Sequence, residues 1–311
     1  MKERSNPSPG AHKATLVVIG GATASGKTAV AVELADRLGT EVISADSRQF
    51  YKAMQIGTAR PLDHELRGIP HHFLGHLELH ENWSAGAFAR AAEPVLQQII
   101  ASRGTAIMVG GSGLYIDALL KGFDPLPATD IRLREKLLAR LKDHGISTLL
   151  EELHTLDPIT WESIDRRNPH RVIRSLEICL ITGRPVSAQR TSPADRDDLR
   201  IVRIALDLPR KELYDRIDRR VDQMVKNGWL DEARGLRAFR QLNALRTVGY
   251  RELFEHFDGT IGLFETIDLI KQHTRNYAKR QLTWFRRDGN WIALPAAELG
   301  RMLDIVRSPD R

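Results

Sequence analysis

The chain has 311 residues, 42% of them hydrophobic and 28% charged, an ordinary balance that excludes collagen-like, low-complexity and wholly disordered classes and allows one or two domains. No apolar run approaches the roughly 20 residues of a membrane-crossing helix, the N-terminus MKERSNPSPGAHKAT lacks the apolar stretch of a secretory leader, and a single cysteine excludes an internal disulfide, so a reducing, cytoplasmic setting without membrane association is expected. The net charge of +6 is carried entirely by residues 199–311, where 22 Lys and Arg face 16 Asp and Glu; such an excess is either a solvated face or the footprint of a polyphosphate partner.

Residues 1–15 read as a mobile tail. LVVIG at 16–20 is a buried strand running into a glycine turn, and GKTAVAVELADRLG at 26–39 has helical periodicity with Gly39 where a C-terminal cap belongs. EVISA at 41–45 is a second strand, residues 84–102 form a helix expected to bend or divide at Pro94, and TAIMVGG at 105–111 is a third strand. Strands alternating with helices predict a parallel sheet flanked by helices on both faces. Residues 124–198 then change character. Helices are predicted at 131–145, 147–156 and 169–183, the last opened by Pro169, closed by Gly183 and carrying Cys179 as a small buried side chain. FDPLPATD and TSPADRDD flank these helices as hinges. IVRIALDL at 201–208 resumes the sheet, and long basic helices follow it. The expected organisation is a phosphate-loop α/β core, residues 16–123 and 199–311, interrupted by an all-helical insertion at 124–198.

Gly21-Ala22-Thr23-Ala24-Ser25-Gly26-Lys27-Thr28 satisfies G-x-x-x-x-G-K-[ST], and it follows a strand and opens a helix, the context that gives this motif its meaning. The loop N–H groups and the helix N-terminus form an anion cradle. Lys27 adds a full positive charge, and the Thr28 hydroxyl is a candidate Mg²⁺ ligand. ATPases commonly end a later strand in a carboxylate that holds the metal. Here TAIMVGGSG ends in glycines and a serine, which leaves Asp46, in ISADSRQFY, as the nearest acidic candidate. Ligands in parallel sheets sit beyond the carboxyl ends of the strands, so Asp46 is placed to face the loop; the alternative is a turn or cap residue. Five histidines, His64, His71, His72, His76 and His80, invite a metal site, but Pro70 and Gly75 break the spacing, and packing roles are expected instead.

At this point the sequence resembles the tRNA dimethylallyltransferase, or tRNA isopentenyltransferase, family over nearly the whole chain after residue 15. The carriers are GATASGKT (21–28), ISADSRQFY (43–51), IGTARP (56–61), PHHFL (70–74), WSAGAFA (83–89), VGGSGLY (109–115), LYDRIDRRVDQM (213–224), LRTVGYREL (245–253) and YAKRQLTWFRRD (277–288). Two departures stand out. Ala22 replaces the family's proline, leaving every anion-binding N–H of the loop available, and Ser112 replaces a threonine while keeping its hydroxyl.

The resemblance implies transfer of a dimethylallyl group from dimethylallyl diphosphate to N6 of adenosine 37 in tRNA, giving N6-isopentenyladenosine and diphosphate. It implies that Gly21 to Thr28 hold the diphosphate with Mg²⁺, that Arg220 reaches it from the helix it shares with Arg216, and that Asp46 acts as general base. The tRNA partner, bound by its anticodon stem-loop, is expected to meet Asp46, Ser47, Arg48 and Gln49, then Ser112, and Arg134 in the insertion. His170, Arg171, Val172, Ile173 and Arg174 follow, as do Arg246, Thr247, Val248, Gly249, Tyr250 and Arg251. In 271–287 the cations Lys271, Arg275, Lys279, Arg280, Arg286 and Arg287 interleave with Tyr277, Trp284 and Phe285, the mix used for single-stranded RNA loops. Lys279, Arg280, Gln281 and Trp284 are the residues assigned there, although Trp284 and Phe285 read equally well as core. Nothing demands a dimer, so a monomer is expected. Other readings are an adenylate isopentenyltransferase acting on free AMP or ATP, a small-molecule kinase, and an RNA-binding module with a vestigial loop. The insertion and the basic C-terminal third argue against the first of these, because a free nucleotide needs neither.

Overall fold

The computed structural model describes residues 13–122, 126–190, 196–287 and 289–308. The elements run β1 (Thr15–Gly21), α1 (Lys27–Leu38), β2 (Val42–Ser44), α2 (Asp63–Leu66), β3 (His71–His72), α3 (Ala85–Arg103), β4 (Thr105–Gly110) and α4 (Gly113–Lys121). Then come α5 (Ile131–Leu156), α6 (Pro158–Ser163), α7 (Pro169–Thr182), β5 (Arg200–Leu206), α8 (Arg210–Lys226), α9 (Trp229–Leu236), α10 (Tyr250–Phe257), α11 (Leu263–Arg286), β6 (Ile292–Leu294) and α12 (Leu299–Arg307). Most of the expected tail, residues 1–12, and much of the two expected hinges lie outside the described residues.

The six strands form one parallel sheet in the order β3-β2-β4-β1-β5-β6. Alternate residues of each strand enter two different cores. Leu16, Val18, Ala106 and Met108 face a cluster filled by Phe88 and Leu96 of α3, Ile116 of α4, Val221 of α8, Trp229 of α9 and Ile270 and Phe285 of α11. Val17, Ile19, Ile107 and Val109 face Val30, Leu34 and Ala35 of α1 and Met302, Leu303 and Val306 of α12. Helices on both faces explain why these strands are unbroken apolar runs. β3 and β6 add a strand at each edge beyond the four predicted.

Two local expectations meet different outcomes. Gly39 and Gly183 close α1 and α7 with positive φ, and Gly145 (φ 75°) interrupts α5 where the sequence divides two helices. Pro94 does not divide α3, which continues across it. Pro94 is exposed, so the carbonyl it leaves without a helical partner faces water.

The chain forms two compact units, Met1–Leu120 with Arg196–Arg311, and Lys121–Asp195. The strands of the first unit stay together across the interruption through the β1–β5 ladder, and the Arg196 N–H donates to the Leu120 carbonyl at 3.0 Å where the chain leaves and returns. The second unit has its own apolar core of Leu137, Leu149, Leu153, Val172, Ile173 and Leu176. Cys179 is buried beside Ile178 and Val186, and burial pushes its thiol above the usual range. Among the described residues no helix is long and apolar enough to cross a membrane.

Asp157 ties that second unit. It is fully buried, caps α6 through the Thr160 N–H, and accepts from both the N–H and the hydroxyl of Ser187. Asp157→Ala strands these donors and should cost about 2–3 kcal/mol. The check is proteolysis of 121–195 with the phosphate-loop unit as internal standard; equal resistance in variant and wild type would remove Asp157 as its fastener.

Candidate active site

The carboxyl ends of β1 and β4 lay two glycine-rich turns side by side, with Gly20 and Gly110 paired in register. The first turn is the phosphate loop. Ala24 (φ 64°) and Gly26 (φ 92°) take left-handed backbone conformations there, and Gly26 opens α1. Lys27 curls back, donating from Nζ to the Ala22 carbonyl at 2.6 Å. Its ammonium is held down to about pH 8, first by burial and further by Arg220, against the opposing pull of Asp46.

Arg220 is delivered by α8, whose buried face is Leu213, Ile217 and Val221. Burial lowers the pKa of its guanidinium, with Asp46 and Glu65 opposing. It reaches Thr23 Oγ1 at 3.5 Å and the Ala59 carbonyl at 3.3 Å. Arg216, one turn earlier, lines the same cavity and pairs with Glu212 at 2.8 Å.

Asp46 follows β2. Its Oδ1 accepts from the Arg48 N–H at 3.1 Å, so the side chain does close a local turn, but it also lines the cavity. The neighbouring Ser47 N–H donates to Ser112 Oγ at 3.1 Å, and the Ser112 hydroxyl donates to Ser47 Oγ at 3.2 Å. Burial, with Asp46 second, pushes the Tyr277 hydroxyl well above the usual phenol range, so it stays protonated. The Arg48 guanidinium donates to the carbonyls of Asn243 and Ala244, and Gln49 Nε2 donates to those of Thr58 and Ala59. These bonds tie the Asp46 turn to two neighbouring loops.

These groups share one cavity of about 720 Å³ that takes in Thr23, Ala24, Gly26 to Thr28, Asp46 to Gln49, Arg246 to Val248, Arg251, Tyr277, Arg280 and Gln281. Lys27, Arg48, Arg216, Arg220, Arg246, Arg251 and Arg280 line it against only Asp46 and Glu65 among the described residues, so its charge suits an anion. Among the described residues no group of three His, Cys, Asp or Glu could hold a metal. Thr28 and Asp46 both line this cavity, and so sparse an oxygen set fits Mg²⁺, which keeps waters and draws its other ligands from phosphates. The histidines are occupied elsewhere: His72 pairs with Glu41, His71 bonds the Ile69 carbonyl, and His76 packs edge-on against Phe50, Phe73 and Trp83.

Several residues expected to meet RNA are engaged internally. Tyr250 is fully buried, donates to Glu232 and packs on Trp229, and Gly249 is buried beneath it, whereas Arg246, Thr247, Val248 and Arg251 do line the cavity. In the second unit, Val172 and Ile173 belong to its apolar core and present no side chain to a partner. His170 and Arg171 are exposed there, while Arg174 is held by Glu177 at 3.0 Å and by the Pro127 carbonyl. Arg134 lies 3.8 Å from the same Glu177.

On α11 the basic stripe splits. Lys271 pairs with Asp222 and Arg275 with Asp218, both at 2.6 Å, so these two cations face α8. Lys279 and Arg280 are exposed. Phe285 is core, and Trp284 stacks edge-on with it and with Trp291 while packing against Gly113. The side chain of Gln281 is taken up by the phosphate loop, where it accepts from the Thr23 N–H. That bond also corrects the expectation that every loop N–H is available to an anion.

Sequence reasoning placed Gln281 among the RNA contacts, with no local signal of its bond to the phosphate loop, and it missed Glu232. Glu232 takes the Ile56 and Gly57 N–H groups and the Tyr250 hydroxyl, fixing the IGTARP loop at the cavity edge.

Comparisons with known proteins agree over most of the chain. The family model for IPP transferase matches residues 49–288. A tRNA dimethylallyltransferase of Christiangramia forsetii is 45% identical over 273 residues, 88% of this chain and 90% of that protein. One from Porphyromonas gingivalis is 42% identical over 294 residues, 94% of this chain and 98% of its own length. The crystal structure of the full-length tRNA isopentenylpyrophosphate transferase from Bacillus halodurans superposes with a TM-score of 0.71 at 37% identity, covering 96% of this chain and 97% of that one. A eukaryotic dimethylallyltransferase, solved as crystallographic snapshots acting on tRNA, gives a TM-score of 0.75 at 26% identity over 94% of this chain and 76% of its own. With this architecture around a phosphate loop, the chain belongs to the IPP transferase family.

Proposed function

We infer that the protein is a tRNA dimethylallyltransferase, moving the dimethylallyl group of dimethylallyl diphosphate to N6 of adenosine 37 beside the anticodon. The observation that carries this reading is one cavity lined together by the phosphate loop, Arg220, the turn bearing Asp46, and Arg246, Arg251 and Arg280. The phosphate loop and Arg220 suit a diphosphate. The Asp46 turn suits a base extruded from an RNA loop, its phosphates met by the other arginines.

Breaking the bond to the allylic carbon places negative charge on the departing diphosphate. Lys27 and Arg220 line the same cavity as the phosphate loop, and preorganised charge is worth most where water is excluded. Mg²⁺, held by the Thr28 hydroxyl together with diphosphate oxygens, would neutralise part of the same charge. Asp46 takes the proton from N6, whose lone pair is delocalised and nucleophilic only as that proton leaves. Ser112 and Arg48 fix the turn that carries the carboxylate. Exposed Lys279 and Arg280 extend the anion surface outward, and His170 and Arg171 of the helical unit supply further RNA contacts.

Asp46→Asn keeps an acceptor for the Arg48 N–H and removes only the base, so turnover should fall about 10²-fold or more with tRNA affinity retained. Single-turnover assay of Asp46→Asn beside Asp46→Ala is the measurement; near-wild-type rates in Asn would reduce Asp46 to a turn residue.

Lys27→Ala and Arg220→Ala should each lose about 2–4 kcal/mol of transition-state stabilisation. Because the Lys27 ammonium is lost as pH rises through about 8, the free site should bind pyrophosphate with proton uptake near that pH and more weakly above it. Calorimetry in two buffers of different ionisation enthalpy checks this, and the uptake should vanish in Lys27→Ala. An uptake that survives the substitution assigns the titration to another group.

Binding of tRNA should weaken steeply with salt, the logarithmic slope changing by about 0.7–0.9 per neutralised phosphate. Replacing Lys279 and Arg280 together by Ala should lower that slope by about one to two units and leave donor binding unchanged. Efficient prenylation of free AMP, together with salt-independent tRNA binding, would move the acceptor from tRNA to the nucleotide.

A further inference from the structure

Gln281 lies on α11 between the exposed Arg280 and the helix's last turn, and is itself 6% exposed. Both ends of its amide are committed. Oε1 accepts from the Thr23 N–H at 2.8 Å, and Nε2 donates to the Gly111 carbonyl at 2.9 Å. Thr23 belongs to the loop after β1 and Gly111 to the turn after β4, and these two strands are neighbours in the sheet. The amide therefore bridges the mouths of two adjacent strands. A Cβ on Gly111 would come within 2.2 Å of Nε2, so the glycine there is what permits the approach. Thr23 is gripped a second time through its hydroxyl by Arg220. A buried amide whose donor and acceptor are both used internally has little left to offer an RNA base.

We propose that Gln281 is a positioning residue for the donor: it pins the phosphate loop to the turn after β4, so that Lys27, Thr28 and the remaining loop N–H groups are set for a diphosphate before one arrives. The proposal rests on the diphosphate reading of the loop. It also gives α11 two tasks one residue apart, with Arg280 facing the polyanionic acceptor and Gln281 holding the donor loop.

Full-length Gln281→Leu and Gln281→Glu are compared with wild type by calorimetry with inorganic pyrophosphate, by direct binding of unmodified tRNA, and in steady-state transfer with each substrate varied. Leu removes both bonds and leaves the Thr23 N–H unpaired. Pyrophosphate affinity should fall about 5- to 50-fold, the KM for dimethylallyl diphosphate should rise in proportion, and tRNA affinity should hold within about twofold. Glu keeps an acceptor for Thr23, loses the bond to Gly111 and adds negative charge beside the loop, so its pyrophosphate affinity should fall below that of Leu. Unchanged pyrophosphate binding in Gln281→Leu, or lost tRNA affinity with pyrophosphate binding intact, overturns the proposal. Loss of both affinities with a lowered melting temperature overturns it too, because that is the behaviour of a packing residue. Wild-type protein that fails to bind pyrophosphate at all would instead overturn the diphosphate reading, so the two failures are distinguishable.

Discussion

Lys27 is a half-buried cation close to a second one, Arg220. Burial disfavours its charge, Arg220 disfavours it further, and Asp46 alone pulls the other way among its charged neighbours. Such a site prefers an occupant that brings several negative charges, and gains most when that charge grows during reaction. The parallel sheet makes this possible. It ends β1 and β4 at the same level and leaves their glycine-rich turns open toward the helices that carry Arg220 and Gln281.

Those helices are linked by a short charged ladder. Asp218 pairs with Arg275 and Asp222 with Lys271, so α8 and α11 run antiparallel with matching four-residue steps. Each pair is partly exposed and worth only about 0–1 kcal/mol, too little to hold the fold together. A one-turn slide would offer Asp218 and Asp222 other cations of the same four-residue stripe, so the register comes from contacts that cannot be re-formed, those of Arg220 with Thr23 and of Gln281 with Gly111.

How much of this could be read from the residues depends on the kind of contact. β1, β2 and β4 are legible because strands buried on both faces are unbroken apolar runs, and the phosphate loop is legible because its chemistry is local. β3 and β6 are too short to carry a pattern; they exist because a neighbouring strand offers them a ladder. The stripe of Lys271, Arg275 and Lys279 looks uniform, yet only Lys279 faces outward, because carboxylates on another helix claim the first two. Asp218 and Asp222, also four apart, were the available sign of that. Val172, Ile173 and Tyr250 sit in segments rich in arginine, and only packing shows that they point inward. Gln281 had no sign at all, since its partners lie 258 and 170 residues away.

The bond from the Arg196 N–H to the Leu120 carbonyl brings the two points where the helical unit leaves and rejoins the α/β unit to hydrogen-bonding distance. A chain whose exit and return lie side by side can lose everything between them without stretching the sheet. The intervening segment also has a separate apolar core, so it is a module in the genetic sense. It could have been acquired, exchanged or excised as one block, joined by a linker of a few residues, while the strands on either side kept their order.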